Sequence, residues 1–326
     1  MGDMESSPYI VIGAGAIGGG VAGMMHRAGC DVTLIARGDN LAALRGHGLG
    51  LQVGHAKYRV DVPVAGHPSE IDWSRSPIIF VAVKSHQTSA VLADLAPYLP
   101  DAAALFSLQN GVANEPAMLR VAERVHGVSV FMPATYLEPG EVVIHSAGVP
   151  GVLDLGTYPH GIDQTDRRVA HDLESAGFES VPRADIMAWK YRKLLMNLGN
   201  AVDAACAPDD GARELRARAL AEGEQVLTAA GIAVIDADAE RERRGDKLQP
   251  MIGRESAGSS TWQSLARGTG DAEVDYLNGE IVLLGRLHGI ATPVNEALRS
   301  ACARLAHQGK PPRSLRSAQI LRDLGA

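Results

Sequence analysis

The sequence predicts a two-domain α/β protein: an N-terminal doubly wound sheet, mainly parallel with a few antiparallel strands, followed by an all-helical C-terminal domain. Three observations lead to this prediction. The chain has 326 residues, about twice the usual length of one domain. Short apolar runs alternate with helical patterns through the first half. No strand pattern persists after Pro182, so we place the domains at 1–183 and 184–326.

Composition and charge exclude several functional classes. Hydrophobic residues make up 46% and charged residues 21% of the chain, as in ordinary globular proteins. The net charge of −7 supplies no basic field for nucleic acid or for an anionic membrane. The three cysteines contain no CxxC pair, and no other metal-ligand spacing occurs, so we predict no metal site and a reducing, cytoplasmic location. Glycine is in excess, with 36 residues.

The first fifty residues contain a dinucleotide-binding turn. A buried strand at Tyr9–Ile12 leads into GAGAIG, a helical pattern follows up to Gly29, and Asp31–Ala36 forms a second strand. In such a turn the first glycine permits the tight bend, the second admits the pyrophosphate, and the third lets the helix pack on the strand. The helix N-terminus offers its N–H groups to the anion. The sequence therefore predicts a Rossmann-type cofactor site at Gly13, Gly15, Ala16, Ile17 and Gly18.

The residue after the second strand indicates which cofactor binds. NAD enzymes place a carboxylate about 20 residues after the glycines, to bind the ribose 2′-OH. This chain has Arg37 there, and a guanidinium suits the 2′-phosphate of NADP through charge and paired hydrogen bonds. In the alternative interpretation Arg37 is a solvated loop residue and Asp39 binds the ribose.

Further strands and helices continue the alternation. The strands are predicted at Ile78–Val83, at Ala104–Leu108 and near Val128–Val130, and the helices at Thr88–Leu95 and Glu115–Glu123. From Ala134 onward, two Pro-Gly pairs separate alternating runs, a pattern that favours antiparallel strands added to the sheet.

Two of these strands end in polar residues. Lys84 follows the Ile78–Val83 strand, and Asn110 follows the Ala104–Leu108 strand. Open α/β sheets bind ligands at the carboxyl ends of their strands, so both side chains are candidates to contact a ribose, a phosphate or a substrate oxygen. The alternatives are a solvated lysine and a common Asn-Gly turn.

The second half contains one informative helix, predicted at Met187–Ala205. Lys193, Asn197 and Asn200 share one face of it, while its other positions are mostly apolar. A buried lysine and buried amides need partners, and an anionic substrate provides them. The alternative is an amphipathic helix whose narrow polar face is wet. A later helix, Asp271–Leu287, opens with Glu273, whose simplest role is to complement the helix N-terminus.

Several motifs together give the chain a family resemblance. They occur in one order and span nearly the whole chain, and they resemble those of the 2-dehydropantoate 2-reductase (ketopantoate reductase) family: GAGAIGGG at 13–20, VAVKSHQT at 81–88, SLQNGV at 107–112, WKYRKLLMNLGNAV at 189–202, SSTWQSL at 259–265 and EVDYLNGEIVLLGRLHGIATPVN at 273–295. The resemblance implies NADPH-dependent reduction of ketopantoate to pantoate, in pantothenate biosynthesis.

The resemblance also implies roles for single residues. Lys193 matches the general acid that protonates the carbonyl oxygen, and Glu273 matches the carboxylate that binds the substrate hydroxyl. Asn197 and Ser260 match substrate contacts, and we group Asn200 with them. Lys84 and Asn110 match the pair between cofactor and substrate, and Arg37 matches the contact to the 2′-phosphate. An exposed helical domain is also compatible with a homodimer.

Two departures leave the substrate open. The family commonly has a second asparagine at the position of Ala201, and the stretch Arg241–Ser259 is unusually charged. A paralogue that reduces another 2-oxo acid or an opine-type substrate is one alternative. A non-catalytic NADP-binding sensor is another, although the presence of both Lys193 and Glu273 argues against it.

Overall fold

The computed structural model describes residues 7–136, 138–249, 258–268 and 273–325. By their contacts, these residues form two compact units. Within the described ranges, the first unit contains residues 7–109, 114–187 and 238–249, and the second contains 110–113, 188–237 and the residues from 258 onward. The chain passes from the first unit to the second between residues 187 and 188, four residues after the predicted domain boundary. That boundary stays a prediction. The charged segment 238–249, which includes the described start of the charged stretch Arg241–Ser259, belongs to the first unit. Residues 250–257 of that stretch lie outside the described residues.

The described residues form eleven strands. Their bounds are β1 Tyr9–Ile12, β2 Val32–Ile35, β3 Leu49–Val53, β4 Ala56–Val60, β5 Val64–Ala65, β6 Ile78–Val81, β7 Ala104–Ser107, β8 Arg124–Phe131, β9 Ala134–Thr135, β10 Glu141–Ile144 and β11 Val152–Thr157. All eleven lie in the first unit.

Thirteen α-helices accompany them in the described ranges. Their bounds are α1 Ala16–Arg27, α2 Gly38–His47, α3 Thr88–Leu95, α4 Asn114–Met118, α5 Gln164–Ser175, α6 Ile186–Asn197, α7 Gly199–Ala205, α8 Asp210–Ala229, α9 Ala237–Arg244, α10 Ser260–Ala266, α11 Asn278–His288, α12 Pro293–His307 and α13 Ser317–Asp323. None of these described helices has the length and apolar character needed to cross a bilayer.

The main sheet has the strand order β11-β8-β7-β6-β1-β2-β5. Six strands run parallel and only β11, which pairs with β8, is antiparallel. The central strands β1 and β6 are buried along their whole length, because helices cover both faces of a doubly wound sheet. The predicted fold class is confirmed.

A second sheet, with the order β4-β3-β10-β9, packs in the same unit. Antiparallel strands after Ala134 were predicted as additions to the main sheet, but only β11 joins it, and β9 and β10 lie in the second sheet. The β3–β4 hairpin and the parallel pairing of β10 with β3 were not predicted. Helix α1 packs against strands of both sheets. Its glycines make this possible, because a Cβ atom at Gly23 would lie 2.8 Å from Leu49 Cδ2, and one at Gly20 would overlap Met132 Cε. Part of the glycine excess is therefore explained by close helix packing.

The second unit contains helices and no strand among its described elements, as predicted, and one isolated bridge joins Cys206 to Leu315. A buried polar network joins four of its helices. Asn278 Nδ2 donates to Leu198 O at 3.2 Å and to Asn295 Oδ1 at 2.9 Å. The Asn295 amide in turn donates to Glu222 Oε2 at 2.8 Å, and the Glu222 carboxylate also accepts the backbone N–H groups at the start of α12. The network thus satisfies a helix N-terminus that would otherwise be uncapped.

Three predicted helices differ from the observed ones. The helix predicted at Met187–Ala205 is two helices, which separate at Leu198: its N–H bonds only three residues back, and its carbonyl accepts the Asn278 amide. The helix predicted at Glu115–Glu123 ends at Met118 and is followed by a turn, in which the N–H groups of Val121 and Ala122 bond Met118 O, before β8 begins at Arg124. Of Asp271–Leu287, residues 271–272 lie outside the described residues, and Glu273 begins a separate 3-10 turn before α11.

Candidate active site

The glycine turn has the geometry that a dinucleotide requires. Gly13 has φ +105°, and a Cβ atom there would lie 2.9 Å from Val83 N, so only glycine fits. A Cβ atom at Gly18 would overlap the carbonyl oxygen of Gly13. At Gly15, by contrast, a Cβ atom would meet nothing within 4 Å. The turn is tight on its protein side and open at Gly15, where the pyrophosphate is expected.

The N-terminus of α1 is left to accept an anion. Gly15 is its N-cap and has no capping side chain, and the first turn carries no acidic residue. The first N–H groups of the helix, including those of Ala16 and Ile17, therefore have no side-chain acceptor within this helix start. The Asn40 side chain fixes the turn from behind, donating to Ala14 O at 2.9 Å and accepting from Gly140 N at 2.8 Å. The residues present fit a dinucleotide.

Arg37 lies at the carboxyl end of β2, as predicted, and is the N-cap residue of α2. Its guanidinium is exposed and bonds the Asp94 carboxylate on α3, with Nη2 to Oδ2 at 2.6 Å. Asp39, the alternative ribose ligand, lies in the first turn of α2. Sequence reasoning did not identify Asp94, since it lies 57 residues from Arg37.

Lys84 follows β6 and precedes a short 3-10 turn, Ser85–Gln87. A buried polar network fixes this turn. Gln109 Nε2 donates to Val83 O at 2.9 Å and to Thr88 Oγ1 at 2.8 Å, and Asn114 joins the Thr88 hydroxyl to that of Ser85. The sequence showed these residues only as polar positions next to the two strand ends. Their role is to hold the segment that carries Lys84.

The predicted polar face persists across the break between α6 and α7. Lys193 and Asn197 lie one turn apart on α6, and Asn200 Nδ2 on α7 donates to Asn197 Oδ1 at 3.4 Å. Asn197 Nδ2 is buried and has no hydrogen-bond partner among the described residues. A buried donor without an acceptor is costly, so this amide is suited to a ligand oxygen. Ala201 presents no polar group and is buried.

Ser260 is the first residue of α10, which packs on α7. Ser259, the N-cap of α10, donates from its hydroxyl to Asn200 O at 3.3 Å and from its N–H to Asp203 Oδ2 at 2.9 Å. Burial opposes ionisation of the Asp203 carboxyl, but hydrogen bonds from Arg313 and Ser259 outweigh it and lower its pKa. The start of α10 is thus fixed beside the two asparagines.

Glu273 begins the 3-10 turn Glu273–Tyr276 and is buried. Asn110 belongs to this second unit by its contacts, although it follows a strand of the first. The adjacent Gly111 lies against the same turn, since a Cβ atom there would be 2.8 Å from Tyr276 O. The second unit therefore contains all the catalytic and substrate candidates: Asn110, Lys193, Asn197, Asn200, Ser260 and Glu273. The first contains the other cofactor candidates.

One group among the described residues has metal-ligand spacing, namely His126, Asp163 and Asp166. The charged side chains of this group already form hydrogen bonds with one another and with neighbouring residues. Asp166 accepts from His126 Nδ1 at 2.7 Å and from Thr157 at 2.8 Å, and Asp163 accepts from Arg124 at 3.0 Å. Asp163 also caps α5. The group is best explained as a buried structural cap.

Comparison with known proteins places both halves of the chain in one family. The family model described as "Ketopantoate reductase PanE/ApbA" matches residues 9–160, and "Ketopantoate reductase PanE/ApbA C terminal" matches residues 185–305. A 2-dehydropantoate 2-reductase of Archaeoglobus fulgidus is 33% identical over 297 residues, covering 88% of this chain and 94% of that protein.

Solved structures are similar over almost the same length. A PanE/ApbA family ketopantoate reductase from Ralstonia eutropha JMP134 has a TM-score of 0.78 and 28% identity, covering 92% of this chain and 99% of that one. A D-mandelate dehydrogenase solved with NADH and anilino(oxo)acetate has a TM-score of 0.79 at 22% identity, with the same coverage, and shares the fold. With both family models matching and the glycine turn in place, the chain belongs to the ketopantoate reductase PanE/ApbA family of oxidoreductases.

Proposed function

We propose that the protein reduces 2-dehydropantoate to pantoate with NADPH. The family assignment supports the reaction class. The observation that carries the proposal is the buried Asn197 amide, whose Nδ2 has no partner among the described residues and lies one helical turn from Lys193. An oxo acid supplies the acceptor oxygens that such a group needs.

The proposed cofactor site uses the first unit. The N–H groups at the start of α1 bind the pyrophosphate, and Gly15 leaves room for it. Arg37 binds the 2′-phosphate, which a guanidinium can contact with paired hydrogen bonds. When bound, the nicotinamide supplies the hydride. Lys84 is held by the buried network behind its turn and contacts the cofactor or its ribose.

The proposed catalytic residues are Lys193 and Glu273. The Lys193 ammonium donates a proton to the carbonyl oxygen as negative charge develops on it, which stabilises the charge and completes the alcohol. The buried Glu273 carboxylate accepts a hydrogen bond from the substrate hydroxyl. Asn110, Asn197, Asn200 and Ser260 orient the substrate oxygens. The protein thereby supplies orientation, charge stabilisation and one proton.

One feature favours a second substrate candidate. The buried Ala201 provides a methyl group where the family commonly has an amide, so a 2-oxo acid with a more apolar side chain than ketopantoate is the alternative.

The proposed location is the cytoplasm. Cys30, Cys206 and Cys302 are all free thiols, which fits a reducing environment.

A substrate panel tests the proposal. The loss of absorbance of NADPH or NADH is followed with each of four substrates. These are ketopantoate, pyruvate, phenylglyoxylate and, for opine-type activity, an oxo acid together with an amino acid. We expect kcat/KM for ketopantoate with NADPH to exceed that of each other pair by roughly tenfold or more, as differences in pocket fit allow. A higher value for phenylglyoxylate would support the apolar alternative. Cofactor binding without turnover of any oxo acid would support a sensor and contradict the proposal.

A further inference from the structure

The ion pair between Arg37 and Asp94 occupies the position where the cofactor's 2′ substituent is expected. Arg37 is the N-cap of α2, and Asp94 is the penultimate residue of α3. Their side chains are 59% and 41% exposed, with Nη2 and Oδ2 2.6 Å apart. Both residues belong to the first unit, together with the glycine turn.

This arrangement places a carboxylate beside the proposed phosphate-binding group. A phosphate monoester carries a charge near −2 at neutral pH, so one bound by Arg37 would be repelled by Asp94 and would compete with it for the same guanidinium. A ribose 2′-OH carries no charge and meets neither penalty. Exposed ion pairs contribute little net stability, so we take the repulsion and the competition for the guanidinium to outweigh any benefit from holding Arg37 in place. Because solvent and salt also screen the repulsion, the expected effect is modest.

From this we infer that Asp94 is a specificity-determining residue, which weakens binding of the 2′-phosphorylated cofactor and narrows the preference for NADPH over NADH. The inference rests on the proposed role of Arg37 in the function above. In this family of folds the residue after the second strand usually determines the cofactor preference. The inference adds that a carboxylate from α3 also affects it.

The test measures binding to the intact protein by calorimetry, with adenosine 2′,5′-bisphosphate and 5′-AMP as probes. These ligands differ only in the 2′-phosphate. For Asp94→Asn we expect the bisphosphate to bind about three- to tenfold more tightly, while 5′-AMP changes less than about twofold. The gain should shrink in high salt, because salt screens exposed charges.

Asp31→Asn is the matched control. Asp31 is an exposed carboxylate in a comparable ion pair, with Arg75 Nη1 at 2.7 Å, but it precedes β2 and so lies at the opposite edge of the sheet. The control removes the same charge and should leave the ratio of the two affinities unchanged.

Arg37→Ala separates failure of the inference from failure of the proposed function. One outcome is that Arg37→Ala lowers the affinity for the bisphosphate but not for 5′-AMP, while Asp94→Asn fails to raise the affinity for the bisphosphate. In that case Arg37 binds the phosphate and the inference about Asp94 is wrong. If Arg37→Ala affects both probes equally, the proposed NADP site is wrong, and the inference fails with it.

Discussion

Lys193 is the residue on which the proposed chemistry depends most. Replacing it with alanine removes the proton donor but leaves the first unit, which contains the glycine turn, unchanged. We expect kcat to fall by about 10²-fold or more, the usual contribution of a general acid, while NADPH affinity changes little. Steady-state kinetics and direct cofactor titration measure the two quantities.

A control and a rescue make this prediction specific. Lys310 is an exposed lysine of the second unit, and Lys310→Ala should leave kcat unchanged. A small primary amine added to Lys193→Ala should restore part of the activity if the lost group is an ammonium acid. A mutant with near wild-type kcat would falsify the assignment of Lys193.

Some residues of the candidate site could be predicted from their sequence neighbours, and others could not. Gly13 and Gly18 could be assigned because the steric demands of a βαβ turn act within a few residues. A substrate role for Glu273 is predicted only by the family resemblance, and its burial depends on how its 3-10 turn packs. Asp94 could not be found at all, because its partner is distant in sequence and exposed carboxylates are common.

Among the elements, the charged segment 238–249 has a definite place. It lies along β11 and the preceding loop, where Ala147 N donates to Gln249 O at 2.9 Å and Val149 N to Lys247 O at 3.1 Å. Arg243 donates to both oxygens of the buried Asp154 and to Glu179 Oε2 at 2.9 Å. Hydrogen bonds to Asp154 are the main reason that the pKa of this guanidinium is raised.

Arg243→Ala should therefore destabilise the first unit. It leaves the Asp154 carboxylate buried with fewer donors, although Arg183 and the N–H of Val181 still bond it. We expect the free energy of unfolding to fall by about 2 kcal/mol, less than the roughly 3–5 kcal/mol for breaking a buried ion pair completely, because these two donors remain. Chemical denaturation followed by circular dichroism measures it.

Arg241 supplies the control on the same helix. Its pair with Asp238 is exposed, so Arg241→Ala should cost less than about 0.5 kcal/mol. Equal effects of the two substitutions would contradict a specific role for Arg243. The charge of this segment was visible in the sequence but its position was not, because its partners, Asp154 on β11, Glu179 and the loop before β11, lie more than 60 residues earlier.

At the scale of the whole molecule, the parallel sheet was predictable because each strand is a short apolar run followed by a helix. The second sheet was not predicted as a separate sheet, and its β3–β4 hairpin was missed although only two residues, Gly54 and His55, join these strands, which is a hairpin signal. The pairing of β3 with β10 left no local trace, since the strands are separated by nearly 90 residues. The break at Leu198 was also missed, although Gly199 follows it, and the Leu198 carbonyl there accepts a hydrogen bond from Asn278, 80 residues later.

We predict that the protein is a homodimer that associates through its helical unit. Leu283 and Leu287 are one turn apart on α11 and are 50% and 69% exposed, which is unusual for two neighbouring leucines. Light scattering should give twice the mass of one chain, and Leu287→Glu should shift it toward the monomer. Leu119→Glu, at an exposed leucine of the first unit, is the control. A monomeric wild-type protein would contradict the prediction.

The interleaving of the two units has a consequence for synthesis on the ribosome. The first unit has nearly all its strands and helices once residue 187 is made, but Arg243 and Gln249, which bond Asp154 and the loop before β11, come roughly 60 residues later. At about 5–20 residues per second, the nascent first unit waits about 3–12 s for them. During that interval the outer edge of β11 is already bonded by residues 179–183, but the buried Asp154 carboxylate lacks Arg243 and the loop before β11 lacks its backbone partners.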